Sequence, residues 1–261
     1  MSESLLRVEG LSVECGGRTI VRGVSFELQR GEMFGIVGRS GAGKSTLVRA
    51  LLRLIEPSAG RVLWRGSDLS MLSRRELRNW RREAQIVFQE PALSLDPRLT
   101  VAESVAEPLA VHRLPRGADR IAELLQAVGL GSEMLARRPR QISTGQAQRV
   151  ALARALATRP ALLVADEALS SLDPSVRAQM ANLLGSLRAA MNLACILVTH
   201  DLRLAAHLCD RIGVIADGEL VDLAAAQELL SAATHPQTRE LLDAEQPRSG
   251  TLRRFRSLEP T

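Results

Sequence analysis

The sequence predicts an α/β fold built on a buried, mostly parallel sheet, and three observations carry that prediction. Short, almost wholly apolar runs recur at Met33 to Val37, Ala161 to Ala165 and Ala194 to Thr199, a pattern that suits strands covered on both faces. The first run passes directly into Gly38-Arg39-Ser40-Gly41-Ala42-Gly43-Lys44-Ser45-Thr46, whose glycine spacing and trailing hydroxyls match a phosphate-binding P-loop. Helical patterns follow, over Ser45 to Ile55 with Leu47, Leu51 and Leu54 on one stripe, and again after Pro174.

Taken in order, strands are expected at Leu5 to Glu14, Val24 to Leu28, Met33 to Val37, Arg61 to Trp64 and Gln85 to Phe88. Between the last two, Ser73 to Glu83 places Leu77 and Trp80 at helical spacing and reads as an amphipathic surface helix. From Val101 to Thr158 the pattern turns helical, with breaks expected at Pro108, Pro115 and Pro139. Strands return at Ala161 to Ala165, Ala194 to Thr199 and Arg211 to Ala216, and Asp217-Gly218 reads as a hairpin turn into Glu219-Leu220-Val221. A helical block, residues 90–158, is thus inserted into an α/β core. The expected division is one domain over 1–240 and a tail over 241–261 that is polar and Pro/Arg-rich from Glu245, with no internal repeat.

The 261 residues are 46% hydrophobic, enough for one sizeable core. The apolar runs fall far short of the ~20 residues that span a bilayer. Met1-Ser2-Glu3-Ser4 has neither the basic nor the apolar region of a signal peptide, and Cys15, Cys195 and Cys209 have no metal or disulfide spacing. A cytosolic, reduced protein is expected. The net charge of +5 comes from arginines spread along the chain, with modest clusters at Arg74 to Arg82 and Arg253 to Arg256. With aromatics at 2%, base-stacking platforms are scarce, so no nucleic-acid partner is expected.

Lys44 is the only lysine in the chain. A compact ammonium therefore stands where the loop would meet phosphate, and a planar guanidinium stands everywhere else. Such a loop aims backbone N–H groups at phosphate oxygens beside a helix N-terminus, and Ser45 can ligate Mg²⁺. The run Leu162-Leu163-Val164-Ala165-Asp166-Glu167 ends in two carboxylates; on a nucleotide fold Asp166 would lie near Mg²⁺ and Glu167 beside the attacking water. The run Ile196 to Thr199 ends at His200, which alone reads as structural and beside a nucleotide could reach a γ-phosphate. Ser143-x-x-Gln146 ahead of an apolar-periodic helix is a capping box, and a capped helix start is itself an anion site.

With these pieces in this order, the chain resembles the nucleotide-binding subunit of ATP-binding cassette (ABC) transporters over almost its whole length. The resemblance implies a P-loop NTPase core with an inserted helical subdomain and an N-terminal antiparallel β subdomain. It assigns Walker A to Gly38 through Ser45, the Q-loop glutamine to Gln89 and the signature to Ile142-Ser143-Thr144-Gly145-Gln146. Walker B becomes Leu162 through Asp166 with Glu167 as the catalytic carboxylate; Ser171-Leu172-Asp173 is the D-loop and His200 the switch histidine. It also implies Mg²⁺ held by Ser45, Gln89 and Asp166. In this family two cassettes sandwich two ATP molecules, each between one chain's Walker A and the other's signature.

Three segments further resemble the peptide/nickel-type importers: Gln89 through Arg98, Asp166 through Asp173, and His235-Pro236-Gln237-Thr238-Arg239. That implies an ATPase subunit peripheral to the cytoplasmic face of the inner membrane, importing peptides or nickel and metal chelates. Its implied partners are a second, related ATPase, two membrane permeases and an extracytoplasmic solute-binding protein. Two departures stand out. Thr144 replaces the first of two glycines after the signature serine, and strain there is expected to weaken the site it completes. Cys15 stands where an aromatic ring usually stacks on adenine. The competing reading is a soluble ABC-type ATPase of a multienzyme complex, of the phosphonate-breakdown type.

Overall fold

The structure, a computed structural model, describes residues 4–90, 94–170 and 172–244. Two sheets organise it. The first is antiparallel, in the order β2-β1-β4-β5, from Leu6–Cys15 (β1), Arg18–Leu28 (β2), Ala59–Trp64 (β4) and Ser67–Asp68 (β5). The second has the order β10-β9-β3-β8-β7-β6, from Met33–Val37 (β3), Ala84–Val87 (β6), Leu162–Asp166 (β7), Ala194–Thr199 (β8), Arg211–Ala216 (β9) and Glu219–Ala225 (β10). Its strands run parallel from β9 to β6, and β10 pairs antiparallel through the Asp217-Gly218 hairpin.

The apolar runs form the middle of this parallel sheet because both of their faces are covered. Successive side chains of a strand point to opposite sides, and here the two sides meet different cores. Phe34, Ile36, Leu162, Val164, Ile196 and Val198 join β1, β2 and the first helix. Met33, Val37, Leu163, Ala165, Cys195 and Leu197 join the helical block. That block contains Val101–Val111 (α3), Ala118–Ala127 (α4) and Thr144–Leu156 (α5). The other helices are Lys44–Leu51 (α1), Arg74–Glu83 (α2), Pro174–Met191 (α6), Leu202–Leu208 (α7), Ala226–Ala232 (α8) and Pro236–Ala244 (α9).

The expected α/β class, inserted block and surface helix over Ser73 to Glu83 are all present. Helix α2 has Trp80 buried on one side and a Ser73–Glu76 capping box. Three expectations change. The first helix stops at Leu51 because Arg53 adopts a left-handed backbone (φ 51°) that ends the turn, so Leu54 faces solvent instead of extending the stripe. Pro108 does not break α3; burial of Val101, Val105 and Leu109 holds the turn that proline fails to bond. The strand expected at Val24 begins already at Arg18, paired with Cys15.

Helix α9 crosses the expected boundary at 240. The segment His235 through Arg239 that opens it docks on β10 through one carboxylate: Thr234 Oγ1 donates to Asp222 at 2.8 Å, His235 N–H at 3.2 Å, and the fully buried Thr238 donates through Oγ1. Burial pushes the Asp222 carboxyl up, but these hydrogen bonds win and hold it below its ordinary value. Residues 245–261 of the expected tail, with the Arg253 to Arg256 cluster, lie outside the described residues, as do Pro91, Ala92, Leu93 and Ser171.

Candidate nucleotide site

The loop Gly38 to Gly43 leaves the carboxyl end of β3 and turns into α1, which is where ligands sit on open parallel sheets. Two glycines are there because nothing larger fits. A Cβ on Gly38 would collide with the carbonyl oxygen of Ile215, and Gly43, at φ +100°, brings its backbone against the carbonyl oxygen of Ile20. Gly43 is also the N-cap of α1 and has no side chain to offer, so the first-turn N–H groups of Lys44, Ser45 and Thr46 receive no side-chain cap. Uncapped N–H groups at the positive end of a helix dipole form an anion site.

Lys44 is 4% exposed, with Nζ donating to the carbonyl oxygens of Gly38 (2.8 Å) and Arg39 (3.0 Å) and lying 3.5 Å from Glu167 Oε1. Burial lowers its pKa, opposed by the Glu167 carboxylate. On the far side of β8 in the sheet, β7 delivers Asp166 to Ser45, whose Oγ donates to Oδ1 at 3.0 Å. Burial raises the Asp166 carboxyl above its ordinary value, against the hydrogen bond from Ser45. Glu167 itself has a left-handed backbone (φ 49°), and its N–H bonds the carbonyl oxygen of Val198. That conformation swings its side chain away from the strand direction and toward the loop.

A cleft of about 260 Å³ gathers Ser40, Gly41, Gly43, Lys44, Ser45, Thr46, Gln89 and Glu167. Ser45, Gln89 and Asp166 also line the adjoining larger cleft beside β6. Residues expected from separate stretches of sequence therefore converge on one place, together with Ile20, which carried no sequence signal. Arg39 faces outward and pairs with Glu240 of α9 at 3.2 Å, while Ala42 closes the loop by donating its N–H to the Arg39 carbonyl. His200 is exposed beyond β8 and does not line the cleft. Cys15 is exposed at the end of β1, next to the Gly16-Gly17 turn.

The signature residues sit elsewhere. Ser143 caps α5 with its Oγ accepting from Gln146 N–H at 3.3 Å, and Gln146 Oε1 accepts from Ser143 N–H at 2.9 Å. Thr144 is the first residue of that helix and has no positive φ. The strain expected at Thr144 is therefore absent: the backbone is ordinary helix, which a β-branched residue enters freely at a first turn. Gly145 is the constrained one, since a Cβ there would press on Val176 Cγ1 of α6 at 3.2 Å. Asp173 caps α6, accepting from Ser175 and Val176 N–H at 3.1 and 3.0 Å.

Ser45 and Asp166 are hard oxygen donors at hydrogen-bond distance, and Gln89 adds an amide oxygen in the same cleft. That set fits Mg²⁺, which takes one or two protein oxygens and completes its shell with water and phosphate. It does not resemble a dedicated transition-metal cage, and the described residues hold no cluster of three His, Cys, Asp or Glu side chains suited to one.

The profile of the ABC transporter family matches residues 21–170. The chain belongs to the ABC transporter family. This cassette is 43% identical over 259 residues to a probable peptide ABC transporter ATP-binding protein of Sinorhizobium fredii, covering 94% of the chain and 73% of that relative. It is 41% identical over 253 residues to an oligopeptide transport ATP-binding protein of Bacillus subtilis, covering 94% and 83%. Among solved structures, an ATP-binding cassette captured as a dimer in a post-hydrolysis state with ADP and phosphate superposes with a TM-score of 0.75. Its identity is 30%, and the match covers 85% of this chain and 98% of that one. The cassette binds nucleotide and hydrolyses ATP. No helix among the described residues is long and apolar enough to cross a membrane.

Proposed function

We propose that this cassette is the ATP-hydrolysing subunit of a peptide importer, or of a related importer of nickel and metal chelates. It would work at the cytoplasmic face of the inner membrane with a second, related ATPase, two permeases and an extracytoplasmic solute-binding protein. The names of its relatives, peptide and oligopeptide transport ATP-binding proteins at about 40% identity over most of the chain, carry the substrate class. They favour import over the soluble multienzyme alternative.

The roles follow from the convergence of Lys44, Ser45, Gln89 and Glu167 on one cleft. The uncapped start of α1 and the loop Gly38 to Thr46 hold the β- and γ-phosphates. Lys44 Nζ trades its carbonyl oxygens and Glu167 for phosphate oxygens, which frees Glu167 to accept a proton from the attacking water. Mg²⁺, held by Ser45, Asp166 and Gln89, would supply charge neutralisation on those phosphates when bound. His200 would reach the γ-phosphate only as the site closes, and Cys15 sits by the adenine. Ser143, Thr144, Gly145 and Gln146, with Asp173 of the D-loop, face the ATP of the partner cassette, whose own signature covers this one.

The test is purification through a tag on this chain from membranes. Copurifying permeases, with ATP hydrolysis stimulated by a peptide-loaded binding protein, are expected. Recovery in a soluble complex without permeases, and no stimulation by peptide or metal chelate, would overturn the importer reading.

A further inference from the structure

Helix α5 carries Gln148 little more than a turn beyond its capped start, and the residue is 1% exposed. Its side chain lies against a cavity of about 10 Å³ whose other walls include Val87, Leu163, Ala165, Ala168, Leu169 and Met180. Neither the amide nitrogen nor the amide oxygen has a hydrogen-bond partner among the described residues. A water would need roughly this much room and two to four polar partners besides, and those side-chain walls are apolar. A buried amide with both ends unmade destabilises the arrangement that contains it. An apolar side chain of the same length would fit the space without that penalty.

The amide is therefore fitted to a different arrangement of its neighbours. Among the residues that line the cavity, Ala168 and Leu169 lie outside any helix or strand, so their backbone N–H and C=O are not committed to one. Both residues are buried, and among the described residues neither makes a backbone hydrogen bond. They form the turn directly after Glu167, where the Ser170 N–H (3.0 Å) and Oγ (2.7 Å) both donate to the Glu167 carbonyl oxygen. Gln148 thus stands between the helix that begins at Ser143 and the turn that carries Glu167.

We infer that Gln148 is a positioning residue for hydrolysis. In the hydrolysis-competent arrangement its amide bonds the Ala168-Leu169 backbone, so the placement of Glu167 depends on the placement of α5. A shift of the signature helix on a partner's nucleotide is thereby passed to this chain's own carboxylate. The inference rests on Glu167 as the hydrolytic carboxylate and is independent of what the transporter carries.

The experiment compares Gln148→Met, which keeps length without polarity, with Gln148→Leu, Glu167→Gln and the Gln148→Met/Glu167→Gln pair. ATP hydrolysis is measured in the complex that copurifies with the full-length tagged chain, and thermal unfolding on the chain itself. Gln148→Met and Gln148→Leu are expected to raise Tm by roughly 2 to 4 °C. Both should lower kcat at least tenfold with KM for ATP unchanged. The double variant should be no slower than Glu167→Gln alone, because the two residues act as a unit. A raised Tm with wild-type kcat would show the amide to be idle, and a lowered Tm in both variants would show it already bonded; either overturns the inference. Full activity of Glu167→Gln would instead overturn the assignment of Glu167.

Discussion

Two helix N-termini of the cassette are proposed to meet phosphate, and they are built in opposite ways. Helix α1 starts at a glycine in a left-handed conformation, with no side chain to satisfy its first-turn N–H groups and a buried lysine alongside. Helix α5 starts at Ser143, which with Gln146 pairs the Ser143 and Gln146 N–H groups within its own capping box and leaves both residues outside the cleft. The first end is uncapped and open to a ligand; the second is capped by its own side chains. The difference teaches that an anion site made within one chain can leave its donors exposed in a shaped cleft. The start proposed to face another chain's nucleotide is also a good helix start in its own right.

Breaking the open side where chemistry happens gives the largest expected effect. Glu167→Gln keeps nucleotide binding and lowers hydrolysis by roughly 10² to 10⁴, the range for a positioned general base. Steady-state ATPase of the complex beside nucleotide titration of the chain measures both.

Acidification comes next. Burial raises the Asp166 carboxyl above its ordinary value of 3.8, so folding takes up a proton only at a pH between the ordinary and the raised value. This group favours the folded chain most at low pH, and that contribution fades as pH rises through its raised pKa. Cation ligation runs the other way, because only the carboxylate ligates. Mg²⁺-dependent ATP binding should therefore fall on acidification from a pH above 3.8, by about tenfold per pH unit once the carboxyl is protonated. Calorimetric titration across pH checks this, and Asp166→Asn should remove the step.

The closed side yields smaller numbers. Ser143→Ala removes a side-chain cap and should lower stability by about 1 kcal/mol, read as a shift in the denaturant midpoint at constant slope. Smallest of all is Thr144→Gly. Thr144 is ordinary helix, so glycine relieves no strain there and should leave Tm unchanged or slightly lower. A clear rise in Tm would bring back the strained signature that the Thr144 substitution suggested from sequence.

Much of this comparison was legible before any coordinates. The loop, its single lysine and the Ser143-x-x-Gln146 box are local patterns whose geometry follows from a few neighbouring residues, and the two-sided apolar runs named the central strands. What escaped depends on contacts between distant segments or on backbone angles that no composition announces. Nothing in Arg53 signals the left-handed turn that ends α1, and nothing in Glu167 signals the one that aims its carboxylate. Ile20 enters the cleft only because β2 passes beneath the loop. Thr144 misled because a glycine in a motif suggested a conformational need, whereas the need for a missing Cβ lies one residue later, at Gly145 against Val176. The buried Gln148 reads in sequence as one more polar residue on a helix, and only the packing around it exposes its unmade bonds.

The most direct test of the contrast is one nucleotide titration of the purified full-length chain, run in parallel on wild type, Lys44→Ala and Ser143→Ala. Lys44→Ala removes charge-assisted bonds worth about 1.5 to 3 kcal/mol each, so ATP affinity should fall by roughly a hundredfold or more, about 1.4 kcal/mol being tenfold. Ser143→Ala should bind this chain's own ATP as wild type does and lose hydrolysis only in the assembled complex. Equal losses of affinity in the two variants, or wild-type affinity in Lys44→Ala, would contradict the account.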